Sequence, residues 1–344
     1  MGLSLIDTIY IEEDVRDHPR TRSILARFNK ARHISIERYG EVFNKRSQNF
    51  RLQKLKPALI LARKHAGHIL RAPEGFGIGS RKNFYFAHMF NCLYDCRYCF
   101  LQGMYRSANY VLFVNFESFV EQIDNLIRQY QNESLTFFSG YDCDSLALES
   151  ITGFAAHILP KFKMFTSALI EFRTKSIQIQ PFERISPIDN CVIAFSLMPE
   201  VMSNALDHKA PPIKKRIQAM KILAEKGWKV GPRFDPLIHG KNWKTHYQEL
   251  FDQVFTTVPN YAIHSVSYGP LRFPQAMFRD IFKLYPEEQL FSGPLPQRDG
   301  IVAYKSEIEE EMAVFCQNNF TKFVSDTVVF QCTPEAQAIG RAKL

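Results

Sequence analysis

The chain of 344 residues has no long apolar run. Ala-Leu-Ile-Leu-Ala at 58–62, about the longest, falls far short of the roughly 18 residues a membrane helix needs. The first twenty residues turn acidic too early for a signal peptide, and Ile6 breaks the myristoylation pattern. These absences lead to the expectation of a cytoplasmic protein with no membrane partner. There is no repeat of solenoid period and no low-complexity tract. Cysteine is scarce and odd in number, seven in all. Three of the seven crowd into positions 92–99, too close for three separate bridges. A reducing compartment with a metal or redox role therefore fits better than a disulfide scaffold.

A composition of 46% hydrophobic and 23% charged residues sustains a large core and argues against disorder. The net charge of +8 is uneven. Residues 1–82 hold 17 Lys+Arg against 8 Asp+Glu, or +9, and the remaining 262 residues sum to −1. Such a segment faces nucleic acid phosphates in some proteins and is a solvated basic helical region in others; charge alone does not separate the two.

From Tyr85 onward, short β-branched or aromatic runs alternate with longer amphipathic stretches. The runs lie at 84–90, 134–140, 167–175, 191–197, 228–238 and 262–269. The helical patterns are clearest at 211–227, where Ile213, Ile217, Met220 and Leu223 share a stripe, and at 242–258. Six strands alternating with helices predict an α/β fold with a parallel sheet, a barrel of the TIM type or part of one, of which the partial (β/α)6 barrel is the form expected. The predicted organisation is a basic N-terminal extension (1–82), the partial barrel (83–285) and a C-terminal extension (286–344). Chemistry in such barrels sits at the C-terminal ends of the strands. The cysteine loop follows the first run, "SGYDCDS" the second, and "RTK" closes the third.

The cysteine loop reads "NCLYDCRYCFLQG", with Cys92, Cys96 and Cys99 spaced Cys-x3-Cys-x2-Cys. Three core cysteines on one helical face would share this spacing, but Asn91, Asp95 and Arg97 interrupt it. A structural zinc ion wants four ligands, usually in two separated pairs, and no second Cys-x2-Cys or His-x3-His accompanies the loop. His88 lies close enough in sequence to complete a zinc site, but inside the apparent strand. A [4Fe–4S] cluster fits the spacing better: three thiolates hold three irons and leave the fourth open to another ligand.

The motif after the first barrel strand resembles the radical S-adenosylmethionine superfamily, and "CRYCFLQG" is similar to the cluster loop of the spore photoproduct lyase family. Further similarities follow in order in "CDSLALE", "IEFRTKS", "AFSLMPE" and "KRIQAMKILAEKGWKVGPRFDPLI". The resemblance implies a lyase that splits S-adenosylmethionine on a [4Fe–4S] cluster. The resulting 5′-deoxyadenosyl radical starts the reversal of a UV-type thymine dimer in DNA. It implies Cys92, Cys96 and Cys99 as cluster ligands, and Ser145, Lys175 and Ser196 as contacts to S-adenosylmethionine. Cys143 is the implied hydrogen donor and Tyr98 a hydrogen relay. Damaged duplex DNA and an electron donor such as a flavodoxin or ferredoxin are the implied partners. Cys191, Cys316 and Cys332 read as buried structural thiols. Arg173, Arg233 and Asp235 read as charged partners across the barrel mouth or as a buried structural pair.

Two departures stand out. Phe100 replaces the family's second tyrosine, and the basic lesion-wedging segment is reduced to Arg298, Gly300, Tyr304 and Lys305 within "LPQRDGIVAYKSE". These favour, as an alternative, the same radical chemistry on modified RNA or a small molecule. A zinc-dependent nucleic-acid-binding module is the remaining alternative from a different class.

Overall fold

The six apolar runs become six parallel strands in a computed structural model that describes residues 6–332. They are β1 (Lys82–Phe86), β2 (Leu135–Ser139), β3 (Ala168–Thr174), β4 (Cys191–Ser196), β5 (Lys229–Leu237) and β6 (Val266–Pro270). Each pairs in parallel with the next in sequence. Every residue of β2 and β4 is buried, as expected for strands covered on both faces. Helices such as Ile213–Glu225 and Trp243–Thr257 supply the cover. The sheet gains a parallel strand, Val329–Gln331, beside β6 and an antiparallel one, Leu70–Arg71, beside β1. The result is an open, partial barrel.

The run expected at 84–90 divides. β1 ends at Phe86, and Met89–Phe90 leaves for a second sheet. That sheet has the order Arg32–Ile36, Thr8–Glu12, Leu59–Ala62, Tyr110–Phe113, Met89–Phe90. The basic N-terminal segment is therefore not a solvated helical region: three of its strands pair in parallel and continue into residues 110–113. Several of its cations are engaged in pairs, among them Arg20 with Glu117 at 2.6 Å and Arg63 with Asp14 at 3.2 Å. At the other end, Ile301–Ala303 pairs with Arg272–Pro274. Strand pairing thus crosses both positions 82/83 and 285/286, and one hydrophobic core runs through all three segments. No helix among the described residues is long and apolar enough to cross a membrane.

Candidate active site

A cavity of about 240 Å³ opens at the C-terminal ends of the barrel strands. Cys92, Cys96, Tyr98, Cys99, Cys143, Lys175 and Ser196 all line it, although they come from four separate segments of the chain.

The loop carrying the three thiols is fixed from several sides. Asn91 enters it with φ of 67°, a left-handed conformation that asparagine tolerates better than most residues. Its amide donates to the carbonyls of Ser107 and Asn109, both at 2.7 Å, which tie the start of the loop to the segment that follows it. Asp95–Cys96 pairs antiparallel with Asp207–His208, and the Arg97 N–H donates to the Leu206 carbonyl at 3.0 Å. From the N-terminal segment, helix Phe50–Leu55 brings in Lys54. Its buried ammonium donates to the carbonyls of Cys92 (2.8 Å) and Tyr94 (3.0 Å).

All three thiols are free. Burial pushes the Cys92 thiol up to about 12, and holds those of Cys96 and Cys99 above the ordinary thiol range. Thiolates at these positions need a bound cation to offset the desolvation. Among the described residues, no three His, Cys, Asp or Glu side chains are gathered as a single metal ion requires. His88 is not near such a role: it is buried, stacked on Phe154 at 4.0 Å with the rings 3° from parallel.

Tyr98 is anchored. Its hydroxyl donates to Asp207, which also accepts from Ser203 Oγ at 3.2 Å and pairs with Arg216 at 2.7 Å. Arg216 in turn donates to the Ser196 carbonyl at 3.1 Å. A continuous polar chain therefore runs from the cysteine loop to the end of β4. Lys175 lies over the Tyr98 ring with Nζ 5.3 Å from its centroid. Burial works against its charge, but the neighbouring Cys96 and Asp207 hold its pKa above the ordinary lysine value. It forms no ion pair with Asp142 or Asp235 among the described residues. The partner of Asp144 is instead the backbone N–H of Lys175, at 2.6 Å.

The turn after β2 requires glycine. Gly140 has φ of 79°, and a Cβ there would lie 2.8 Å from the Ser145 nitrogen and 3.1 Å from the Cys143 carbonyl. This tight turn presents Cys143 to the cavity, where burial pushes its thiol well above the usual range and Cys92, Asp142 and Asp144 add to the shift. The same turn takes Ser145 away from the cavity lining. Its hydroxyl donates to the Ser139 carbonyl at 2.8 Å, and its N–H to the Arg173 carbonyl at 3.1 Å. Ser145 is thus the one expected site residue that is not brought to the cavity, because its hydrogen-bonding capacity is used within the turn. Asp144 lines the wall in its place and accepts from Thr174 Oγ1 at 2.6 Å.

Charge clusters at the mouth and beneath it. Glu171 and Arg233 form a fully buried pair at 2.8 Å, which resolves Arg233 as structural. Arg173 bridges Glu171 (3.1 Å) and Asp235 (3.9 Å), and Arg272 approaches Asp235 at 3.5 Å. Cys332 is buried and accepts from Arg272 at 3.2 Å; Cys191 and Cys316 are buried in the core. The reduced segment at 295–307 forms a hairpin, Gln297–Arg298 against Ile301–Ala303, turning at Asp299-Gly300. Arg298 is held by Glu309. Through Ile301–Ala303 the hairpin pairs with Arg272–Pro274, whose ends line the cavity.

Sequence inspection misses several residues that shape this site. Lys54, Asp144, Asp207 and Arg216 act through tertiary partners that no local motif announces. Asn91 and Ser139 line the cavity with Oδ1 and Oγ buried and without a hydrogen-bond partner. Orphaned polar atoms of this kind call for a partner from a bound polar molecule. Three free thiols beside two such atoms and a lysine fit a thiolate-held metal cluster with a polar small molecule next to it.

The model of the family described as "Spore photoproduct lyase" matches residues 80–293. The chain belongs to the spore photoproduct lyase family. It is similar to the spore photoproduct lyase of Bacillus subtilis (strain 168), 23% identical over 202 residues covering 58% of this chain and 59% of that one. The enzyme of Geobacillus sp. (strain Y412MC61) is 23% identical over 206 residues, with the same shares. The match thus spans about 59% of the length of these curated relatives. Among solved structures, a spore photoproduct lyase complexed with dinucleoside spore photoproduct aligns with a TM-score of 0.79 at 16% identity, over 95% of this chain and 98% of that one. A variant with bound AdoMet and dinucleoside spore photoproduct aligns with a TM-score of 0.80 at 15% identity, over 96% and 99%. These likenesses show that the partial barrel and its N- and C-terminal segments share one fold with the lyases.

Proposed function

We propose that this chain is a radical S-adenosylmethionine lyase that reverses a spore-photoproduct-type thymine dimer in DNA. The observation that carries the reading is the convergence of Cys92, Cys96, Cys99 and Cys143 on one cavity at the barrel mouth. In this reading the first three would hold a [4Fe–4S] cluster, for which burial without a cation leaves the thiols strongly disfavoured as thiolates. Lys175 and Ser196 would meet the carboxylate and ribose of S-adenosylmethionine, with the orphaned Asn91 and Ser139 atoms as further contacts. Ser145 would act one layer back, holding the turn. When bound, the cluster supplies the electron that splits S-adenosylmethionine to the 5′-deoxyadenosyl radical.

That radical takes a hydrogen atom from the dimer, the cross-linking C–C bond breaks, and Cys143 gives a hydrogen atom from its S–H to the resulting carbon radical, leaving a thiyl radical. Its surroundings favour that role, since burial keeps the thiol protonated. Tyr98, whose phenol Asp207 anchors at the cavity wall, would return hydrogen to the sulfur and recover its own from 5′-deoxyadenosine, which becomes the 5′-deoxyadenosyl radical again. Phe100 offers no hydroxyl, but its ring lies 5.5 Å from that of Tyr141, which lines the same wall two residues before Cys143. In our reading Tyr141 supplies the phenol that Phe100 lacks. The physiological electron source is a small carrier of the flavodoxin or ferredoxin kind.

A second reading keeps the radical chemistry and changes the substrate to modified RNA or a small molecule. The short hairpin with its acidic tip residue Asp299, and Arg298 committed to Glu309, favours it over a strongly basic wedge. One experiment separates the two. Anaerobically reconstituted protein, S-adenosylmethionine and dithionite are incubated with a dinucleotide spore photoproduct, and thymine residues are measured by chromatography. Recovery of thymines supports DNA repair. Formation of 5′-deoxyadenosine with no loss of photoproduct excludes it and leaves the second reading.

A further inference from the structure

The helix Phe50–Leu55 has two faces with different tasks. Phe50 and Lys54, one turn apart, point inward and line the cavity, and Lys54 grips the loop of Cys92 through two carbonyls. Leu52 and Leu55 point outward, 63% and 70% exposed. One turn of this helix thus presents two open leucines to solvent. Basic residues lie beside this helix. The Lys209 ammonium donates to the Lys54 carbonyl at 3.0 Å, and the Arg106 N–H donates to Asn44 at 2.8 Å, which brings Arg106 beside Lys45 and Arg46. Lys45, Arg46 and Arg106 are exposed and have no carboxylate partner among the described residues. Arg51 and Lys56 on the same helix and its end are offset by Glu287 and Asp7.

We infer that this face docks an acidic one-electron carrier protein that feeds the cysteine-loop site; the inference rests on the function proposed above. An exposed apolar pair with unpaired cations nearby matches an acidic protein surface with an apolar centre, the anatomy of a protein–protein contact. Phosphodiester backbone would use the cations but leave the leucines unsatisfied. The position also suits electron delivery, since a single helix, about 10 Å across with its side chains, separates the patch from the thiol loop. In the step itself one electron passes from the carrier's reduced flavin or iron–sulfur group to the cluster, and no bond is made or broken.

The test uses reconstituted full-length protein, with reduced flavodoxin or dithionite as reductant and bleaching of the cluster's visible absorbance as readout. The L52E/L55E variant is compared with wild type, with K45E/R46E as a second variant and thermal melting as a check on folding. In both, reduction by flavodoxin slows about tenfold or more, as expected when apolar anchors or steering charges are lost at a contact. Reduction by dithionite is unchanged. Unchanged flavodoxin rates overturn the docking surface, as does an equal slowing with both reductants. Weakened DNA binding with unchanged flavodoxin rates assigns the patch to nucleic acid and overturns it too. Wild-type protein that binds no iron or resists dithionite overturns the inference together with the function beneath it.

Discussion

Tyr98 donates its hydroxyl hydrogen to Asp207, a residue 109 positions away in sequence. Arg216 closes on the same carboxylate at 2.7 Å, with the side chains of that pair 0% and 1% exposed. The pair does two things at once. It pins the cysteine loop to the Asp207–His208 strand, and it fixes the direction of the Tyr98 hydroxyl between the second and third cysteines.

Truncation of Asp207 leaves the Arg216 guanidinium buried without its partner. The D207A variant is expected to lose about 3–5 kcal/mol of stability, the scale for breaking one side of a buried ion pair. Urea denaturation measures this. The D207A/R216M double variant recovers much of the loss, because it removes the orphaned charge as well. A D207A variant as stable as wild type contradicts the arrangement.

Cys143 separates the two halves of the proposed reaction. C143A is expected to go on forming 5′-deoxyadenosine while thymine recovery falls by about two orders of magnitude, the scale at which a positioned hydrogen-transfer group acts. Chromatography of both products from one reaction decides it. Parallel loss of both products argues that the residue is structural.

The three polar residues expected around S-adenosylmethionine divide by geometry. Lys175 and Ser196 line the cavity, whereas the Ser145 hydroxyl is bonded to the Ser139 carbonyl. Equilibrium binding of S-adenosylmethionine to the reconstituted protein is expected to weaken about tenfold or more in K175A, where a charge-assisted contact is lost. S145A loses chiefly the stability of one buried hydrogen bond, about 1 kcal/mol. A larger affinity loss in S145A than in K175A reverses the assignment.

His88 makes stability depend on pH. Burial holds its pKa at about 3, against 6.5 for the free side chain. The unfolded chain takes up a proton below pH 6.5 that the folded chain refuses. The contribution is therefore complete above pH 6.5 and is lost as pH falls towards 3. Between neutral pH and pH 5 the loss is about 2 kcal/mol. H88F keeps a ring in the stack with Phe154 and is expected to show correspondingly less acid destabilisation by urea titration. Equal losses in both proteins assign the effect elsewhere.

The barrel was legible in the amino-acid sequence because its strands are buried on both faces and read as continuous apolar runs. β2 and β4 are the clearest examples, with every residue buried. The N-terminal sheet was not, because Arg32–Ile36 fully buries only Ile36, half-buries Ile34 and exposes Arg32, His33 and Ser35. Its strand character comes from pairing with Thr8–Glu12, not from its own pattern. The thiols and Cys143 were legible for a different reason: their chemistry is carried by residue type and spacing. Lys54 and Asp207 were not, since a lysine and an aspartate acquire meaning here only from carbonyls and a phenol supplied by distant segments. Ser145 sits in the expected motif, yet the Gly140 turn commits its hydroxyl to backbone.

The most direct measurement is iron, sulfide and 5′-deoxyadenosine in one anaerobic preparation of wild type and C99A, with S-adenosylmethionine and dithionite added. A cluster held by Cys92, Cys96 and Cys99 predicts about four irons and four sulfides per wild-type chain, together with 5′-deoxyadenosine. C99A then loses both the cluster and the product. Colourless wild-type protein without acid-labile sulfide after reconstitution contradicts the account, as does C99A that forms 5′-deoxyadenosine as well as wild type.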